Sequence, residues 1–126
     1  MADANSYNQV ILLGNVVNDP EHETVKEGEK KGRTYCKFSI ATNEAFKGRQ
    51  QKTEYHRCVA WGRCADFIRD YITKGRQVLV HGKLRHRAFI GKEGSKVYMT
   101  EVHVGTIVGI GKAKDKTLNN KGEDPF

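Results

Sequence analysis

Along most of this chain hydrophobic positions alternate with polar ones instead of recurring every third or fourth residue. In Thr34–Asn43 (TYCKFSIATN), Cys36, Phe38 and Ile40 fall on one side of an extended chain and Tyr35, Lys37 and Ser39 on the other, the pattern of a half-buried strand. Tyr7–Val17, Tyr55–Trp61, Gln77–Ile90 and Lys96–Ile110 are rich in β-branched and aromatic residues and read as four more strands. Gly91-Lys92-Glu93-Gly94-Ser95 joins the last two as a turn, Asn18-Asp19-Pro20 is turn chemistry after the first, and Gly14 predicts a bulge or bend within it. Only Arg63–Lys74 changes period. There Cys64, Phe67, Ile68, Tyr71 and Ile72 stand three and four apart, which predicts a helix stopped by Gly75.

A mainly all-β chain of five strands, with one helix between the third and fourth, has the element order of a five-stranded OB-fold barrel, whose loops and curved face bind oligonucleotides. A sandwich with a capping helix shares that order. At 126 residues one domain is expected. Its predicted extent is 1–111, with 112–126, where periodicity stops, as a flexible tail. Apolar runs such as Val10–Leu13 end far short of the roughly 20 residues a membrane helix needs, and no basic and apolar leader opens the chain, so a cytoplasmic, nucleoid-associated protein with no membrane partner is expected. Cys36, Cys58 and Cys64 are odd in number and lack CxxC spacing, which suits reduced thiols.

Charge narrows the partner. The chain carries 22 Lys and Arg against 15 Asp and Glu, a net +7 that points to a polyanion, nucleic acid first. The surplus is concentrated in Lys47–Lys96, where thirteen Lys and Arg face only Glu54, Asp66, Asp70 and Glu93. Strand parity then puts Lys83, Arg85, Arg87 and Phe89 on one face, and Tyr55, Arg57, Val59 and Trp61 on one face of the preceding strand. Rings interleaved with cations suit a platform on which bases stack while Lys and Arg follow phosphates. The bland alternative makes Tyr55 and Trp61 core and the cations a solvated strand face. Two loops argue against it: Ile90–Lys96, and Glu44–Thr53 with Phe46 among Lys47, Arg49 and Lys52.

Catalytic and metal chemistry find less support. His56, Cys58 and Cys64 form an HxCx5C string without the four closely paired ligands of structural zinc. Asp66 and Asp70 are one helical turn apart and suit a solvated helix face better than a nuclease centre. Gly109–Lys114 (GIGKAK) lacks P-loop spacing. No cofactor and no enzymatic activity are expected.

These segments together resemble the bacterial-type single-stranded DNA-binding proteins. The resemblance spans about Asn8–Gly111 through NQVILLGNVVNDPE (8–21), FSIATNEAF (38–46), TEYHRCVAWGRCADF (53–67), YITKGRQVLVHGKLRHRAF (71–89) and KVYMTEVHV (96–104). It implies an OB-fold protein, usually a homotetramer, that holds single-stranded DNA with little sequence preference during replication, recombination and repair. By position it implies stacking aromatics at Phe46, Tyr55, Trp61 and Phe89, and phosphate contacts from Arg57, Arg63, Lys74, Arg85 and Arg87, with Lys83 added from the stripe. It also implies a partner-binding tip at Glu123, Asp124, Pro125 and Phe126 that recruits replication and repair proteins, although Lys112, Lys114, Lys116 and Lys121 make that tail less acidic than is common. The competing readings are an OB-fold primosome-type adaptor that binds a protein partner, and a nuclease.

Overall fold

The computed structural model describes residues 5–46 and 50–111, with side chains at 5–45 and 52–111. In chain order the elements are β1 (Val10–Val16), β2 (Glu21–Thr24), β3 (Thr34–Phe46), β4 (Gln50–Trp61), α1 (Gly62–Tyr71), β5 (Gln77–Ile90) and β6 (Lys96–Ile110). β1 runs antiparallel to β5, β5 to β6 and β3 to β4, while β4 and β6 lie parallel at Cys58↔Val102. The pairs Asn15↔Ala41 and Val16↔Ile40 return from β3 to β1. Five strands therefore form a closed ring, and a sandwich of two separate sheets is excluded.

Alternation dictates what the ring encloses. Val16, Cys36, Phe38, Ile40, Cys58, Ala60, Val78, Val80 and Val102 turn inward and are buried together, joined by Ala65 and Ile68 of α1 and by Ile72 just beyond it. A helix of ten residues is too short to persist alone. Burial of Ile68, worth about 1.5–3 kcal/mol for a side chain of this size, holds it on the barrel.

The structure departs from the alternation pattern at five places. β2 was not foreseen, because Glu21-His22-Glu23-Thr24 carries no apolar stripe. It pairs with the edge of β3 from Glu21↔Lys37 to Thr24↔Thr34, next to β1 on that edge, and so continues β1 past the turn. That turn is pinned by side chains: Asn18 Oδ1 accepts the Ser39 N–H at 3.1 Å and Asp19 Oδ1 accepts the Lys74 N–H at 3.0 Å. Of the expected loop Glu44–Thr53, residues 44–46 and 50–53 are strand ends paired as far as Phe46↔Gln50, and 47–49 lie outside the described residues. Main-chain bonds and polar cross-strand contacts such as Thr53 Oγ1 donating to Asn43 at 2.6 Å extend the hairpin without apolar alternation.

The helix stops at Tyr71 instead of Lys74. Ile72 is extended, φ −109°, so that its side chain can enter the core, and Gly75 at φ +89° makes the following turn rather than capping the helix. The first strand starts at Val10, not Tyr7. Asn8 instead bonds both main-chain groups of Leu84 with its side-chain amide, at 2.9 and 3.0 Å. Finally, Gly14 forms no bulge: the β1–β5 register passes unbroken through Gly14↔Val78, and the irregularity lies between β5 and β6 at His81/Gly82.

Gly14 is needed for another reason. A Cβ there would overlap the Ala41 carbonyl oxygen and the Ile40 Cγ2, where β1 crosses β3. Gly14→Ala should therefore destabilise the protein by about 1–3 kcal/mol, read as a lower urea midpoint. An unchanged midpoint would show that the crossing is not tightly packed.

Candidate nucleic-acid interface

On the outside of the barrel, pairing sets β3 and β4 side chains next to one another. Tyr35 is opposite Trp61, Lys37 opposite Val59 and Ser39 opposite Arg57. The outward face of the β5–β6 hairpin carries Lys83, Arg85, Arg87 and Phe89 opposite His103, Glu101, Met99 and Val97. Pairing of β4 with β6 at Cys58↔Val102 and Val59↔His103 sets these two faces side by side, and together they form the two walls of an open groove of about 940 Å³. Tyr35, Lys37, Val59 and Trp61 line one wall and Arg85, Arg87, Glu101 and His103 the other. Lys30 and Arg33, with the acidic Glu27 and Glu29, complete the rim from the β2–β3 connection.

The Trp61 ring is the aromatic centre of this groove. The Tyr35 ring lies 5.3 Å from it at a 38° tilt, the Lys30 Nζ 5.1 Å and the Arg33 guanidinium 5.0 Å from its centroid. Cations at these distances are attracted to the indole face by about 0.5–1 kcal/mol at exposed positions. The ring therefore gathers positive charge around itself at the groove.

The opposite wall contains one buried acid. Glu101 Oε2 accepts a 2.8 Å bond from Arg87 Nη2, and His103 Nε2 lies 3.4 Å from Oε1. The carboxylate side chain is only 6% exposed, against 49% for Arg87. Burial by itself pushes the Glu101 carboxyl up. The hydrogen bond and charge of Arg87, then those of His103, outweigh burial and hold it below the usual carboxylate range. The bond to Glu101 in turn raises Arg87. Arg85, directly opposite Glu101 in register, has no ion-pair partner among the described residues.

Two smaller depressions extend the groove. One, of about 200 Å³, holds Arg57, Ser39 and Met99 and shares Lys37, Val59 and Arg87 with it. The other, of about 390 Å³, is lined by Lys83, Asn8 and Thr106 and shares Arg85 and His103. The structure thus brings Arg57, Trp61, Lys83, Arg85 and Arg87 onto one continuous track. Phe89 flanks it, its ring 5.6 Å from the Arg87 guanidinium. Tyr55 is exposed farther along β4 and lines none of these hollows. Arg63, at the start of α1, and Lys74, whose main-chain N–H is bound to Asp19, also lie off the track. The Phe46 side chain and Glu123–Phe126 lie outside the described residues.

Sequence reading missed part of the site. Tyr35 and Lys37 were on the outer face by parity, but only strand pairing places them beside Trp61. Lys30 and Arg33 sit in a polar stretch that looks like any solvated turn. Glu101 carried no signal at all among the residues of its strand. Conversely Val59, placed by parity on the outward platform, is buried at the groove floor. Of the HxCx5C string, His56 bonds the Thr42 hydroxyl at 2.9 Å and Cys58 is in the core, its thiol pushed up to about 12 by burial. Among the described residues no three His, Cys, Asp or Glu stand together as a metal site.

A closed five-stranded barrel with its helix between β4 and β5 and a cationic, ring-bearing groove on its outer face defines an OB-fold protein. Comparison with known proteins agrees. The profile of the Single-strand binding protein family matches residues 7–109, and the chain belongs to that family. It is 40% identical over 104 residues to Single-stranded DNA-binding protein 1 of Chlorobaculum tepidum, covering 79% of this chain and 62% of that protein's length. Single-stranded DNA-binding protein 1 of Xylella fastidiosa is 34% identical over 121 residues, covering 92% and 84% respectively. A solved Plasmodium falciparum SSB complex with ssDNA superposes with a TM-score of 0.75 at 28% identity, covering 87% of this chain and all of that one.

The Glu101 pairing has a pH signature. A carboxyl whose folded pKa is depressed contributes stability above its unfolded pKa, near 4.5, and that contribution is lost as pH falls through the folded value. Glu101→Gln should therefore be less stable than wild type by about 1–2 kcal/mol near pH 7, with the gap closing below about pH 4. A gap of constant size from pH 7 to pH 3, measured by urea unfolding, would overturn the assignment.

Proposed function

We propose that this chain binds single-stranded DNA with little base preference and holds it during replication, recombination and repair. The observation that carries this reading is the groove itself, which sets Trp61 and Tyr35 among Lys30, Arg33, Lys37 and Arg85. The cations displace counterions from the DNA backbone, and the rings stack on unpaired bases at roughly 1–3 kcal/mol each. Neither contribution depends on base identity. A duplex hides its base faces and receives only the first, so single strands are preferred. The role is binding rather than turnover, and the family resemblance to single-stranded DNA-binding proteins supports it.

The same reading includes a homo-oligomer. On the outside of β1, β5 and β6, away from the groove residues, Leu13, Leu79 and Val108 lie side by side in register, with Ile11 next along β1. Ile11 and Leu13 are 64% and 53% exposed. A contiguous apolar row of this kind on a sheet marks a surface that a partner covers, and a second copy of the chain meets it with the same row.

Two measurements test these assignments. Trp61→Ala should weaken binding of oligo(dT) about tenfold or more with little change in salt slope, whereas Arg85→Ala should reduce the slope by roughly 0.7, the loss of one phosphate contact. Equal affinity of the wild type for duplex and single strand at moderate salt would end the reading. For the oligomer, Leu13→Asp should give a smaller assembly by sedimentation than wild type. A mass unchanged by that substitution would remove β1 from the interface.

A further inference from the structure

Arg85 and Arg87 are equivalent by parity, and a phosphate contact is the obvious use for both. Their surroundings differ. Arg85 stands opposite Glu101 and is unpaired among the described residues, whereas Arg87 reaches back diagonally across the hairpin to bind Glu101 at 2.8 Å. One edge of the Arg87 guanidinium is thereby occupied. A second contact fixes the same group, from Arg87 Nη2 to Met99 Sδ at 3.4 Å, and its carbon stands 5.6 Å from the Phe89 ring. Half of the side chain remains exposed to the groove.

We propose that Glu101 is a positioning residue that holds Arg87 as a flat stacking plate for a base, continuing the Phe89 surface, and not as a phosphate ligand. The inference rests on the single-strand binding reading above. A guanidinium is planar and stacks on bases as aromatic rings do, and pinning it by a bidentate-capable carboxylate removes the rotamer freedom that stacking would otherwise have to overcome. Leaving Glu101 for a phosphate would strand a buried carboxylate with only His103 beside it, a loss that one solvent-screened phosphate does not return. The pair is also neutral. Arg87 then adds nothing to counterion release, although it lines the same groove as Trp61.

The test is oligo(dT) affinity as a function of salt for wild type, Arg85→Ala, Arg87→Ala, Arg87→Lys and Glu101→Gln, with thermal unfolding of each variant as a fold control. Arg87→Ala should lose about tenfold in affinity with no change in slope, in contrast to Arg85→Ala. Arg87→Lys keeps the charge beside Glu101 without the plane and guards against an Arg87→Ala protein that unfolds; it should also lose affinity at unchanged slope. Glu101→Gln frees a cation and should steepen the slope by roughly 0.7. A slope reduced by Arg87→Ala, wild-type affinity retained by Arg87→Lys, or a slope that Glu101→Gln leaves unchanged would make Arg87 a phosphate ligand and overturn the proposal. Failure of the wild type to prefer single strands over duplex would instead strike the function on which it rests.

Discussion

Closure of the barrel rests on a short ladder, Asn15↔Ala41 and Val16↔Ile40, at the place where β1 passes so close to β3 that Gly14 has no room for a side chain. Without that contact β1, β5 and β6 would remain one end of an open sheet and β3 and β4 the other. With it, the sheet must curl and the alternate apolar residues meet in one interior, while the outward faces of β3–β4 and β5–β6 adjoin through the β4–β6 pairing at Cys58↔Val102 and Val59↔His103. The groove spans that pairing, and its walls come from strands distant in sequence.

Within the groove, cations are not equivalent. Lys30 and Arg33 lean on an indole, Arg87 is held by a buried carboxylate, and Arg85 has no acidic partner among the described residues. Each arrangement sets how much of the charge is available to a phosphate and how much of the side chain's flat surface is available to a base. An acid buried amid a positive groove looks counterproductive in a charge count. Its effect is to fix geometry, since a carboxylate that cannot reach solvent keeps its partners in place.

The order of strands, the single helix and the inward residues Cys36, Phe38 and Ile40 were legible because period-two alternation is a direct record of which side chains face the core. The polar strand β2 and the paired ends of β3 and β4 were not, since main-chain hydrogen bonds hold them and leave no trace in residue type. Gly14 was singled out for a bulge or bend; there is no bulge, and the missing Cβ serves close approach where β1 meets β3, which only the partner strand reveals. Among site residues, Trp61, Arg85 and Arg87 were found by parity and composition. Tyr35 was on the right face without a neighbour to give it meaning, and Lys30 and Arg33 looked like solvated charges.

The chain's residue pattern therefore determined by itself a mainly all-β chain with one helix between its long strands, the core face of most of those strands and the sign of the partner, because these depend on local alternation and on summed charge, whereas the β1–β3 pairing decided barrel over sandwich. Only the tertiary structure decided that Tyr35 and two loop cations surround Trp61, that Arg63 and Lys74 lie off the track, and that Arg87 is paired while Arg85 is not. Those properties depend on distances between strands far apart in sequence, set by register and closure, and no periodicity within one strand records them.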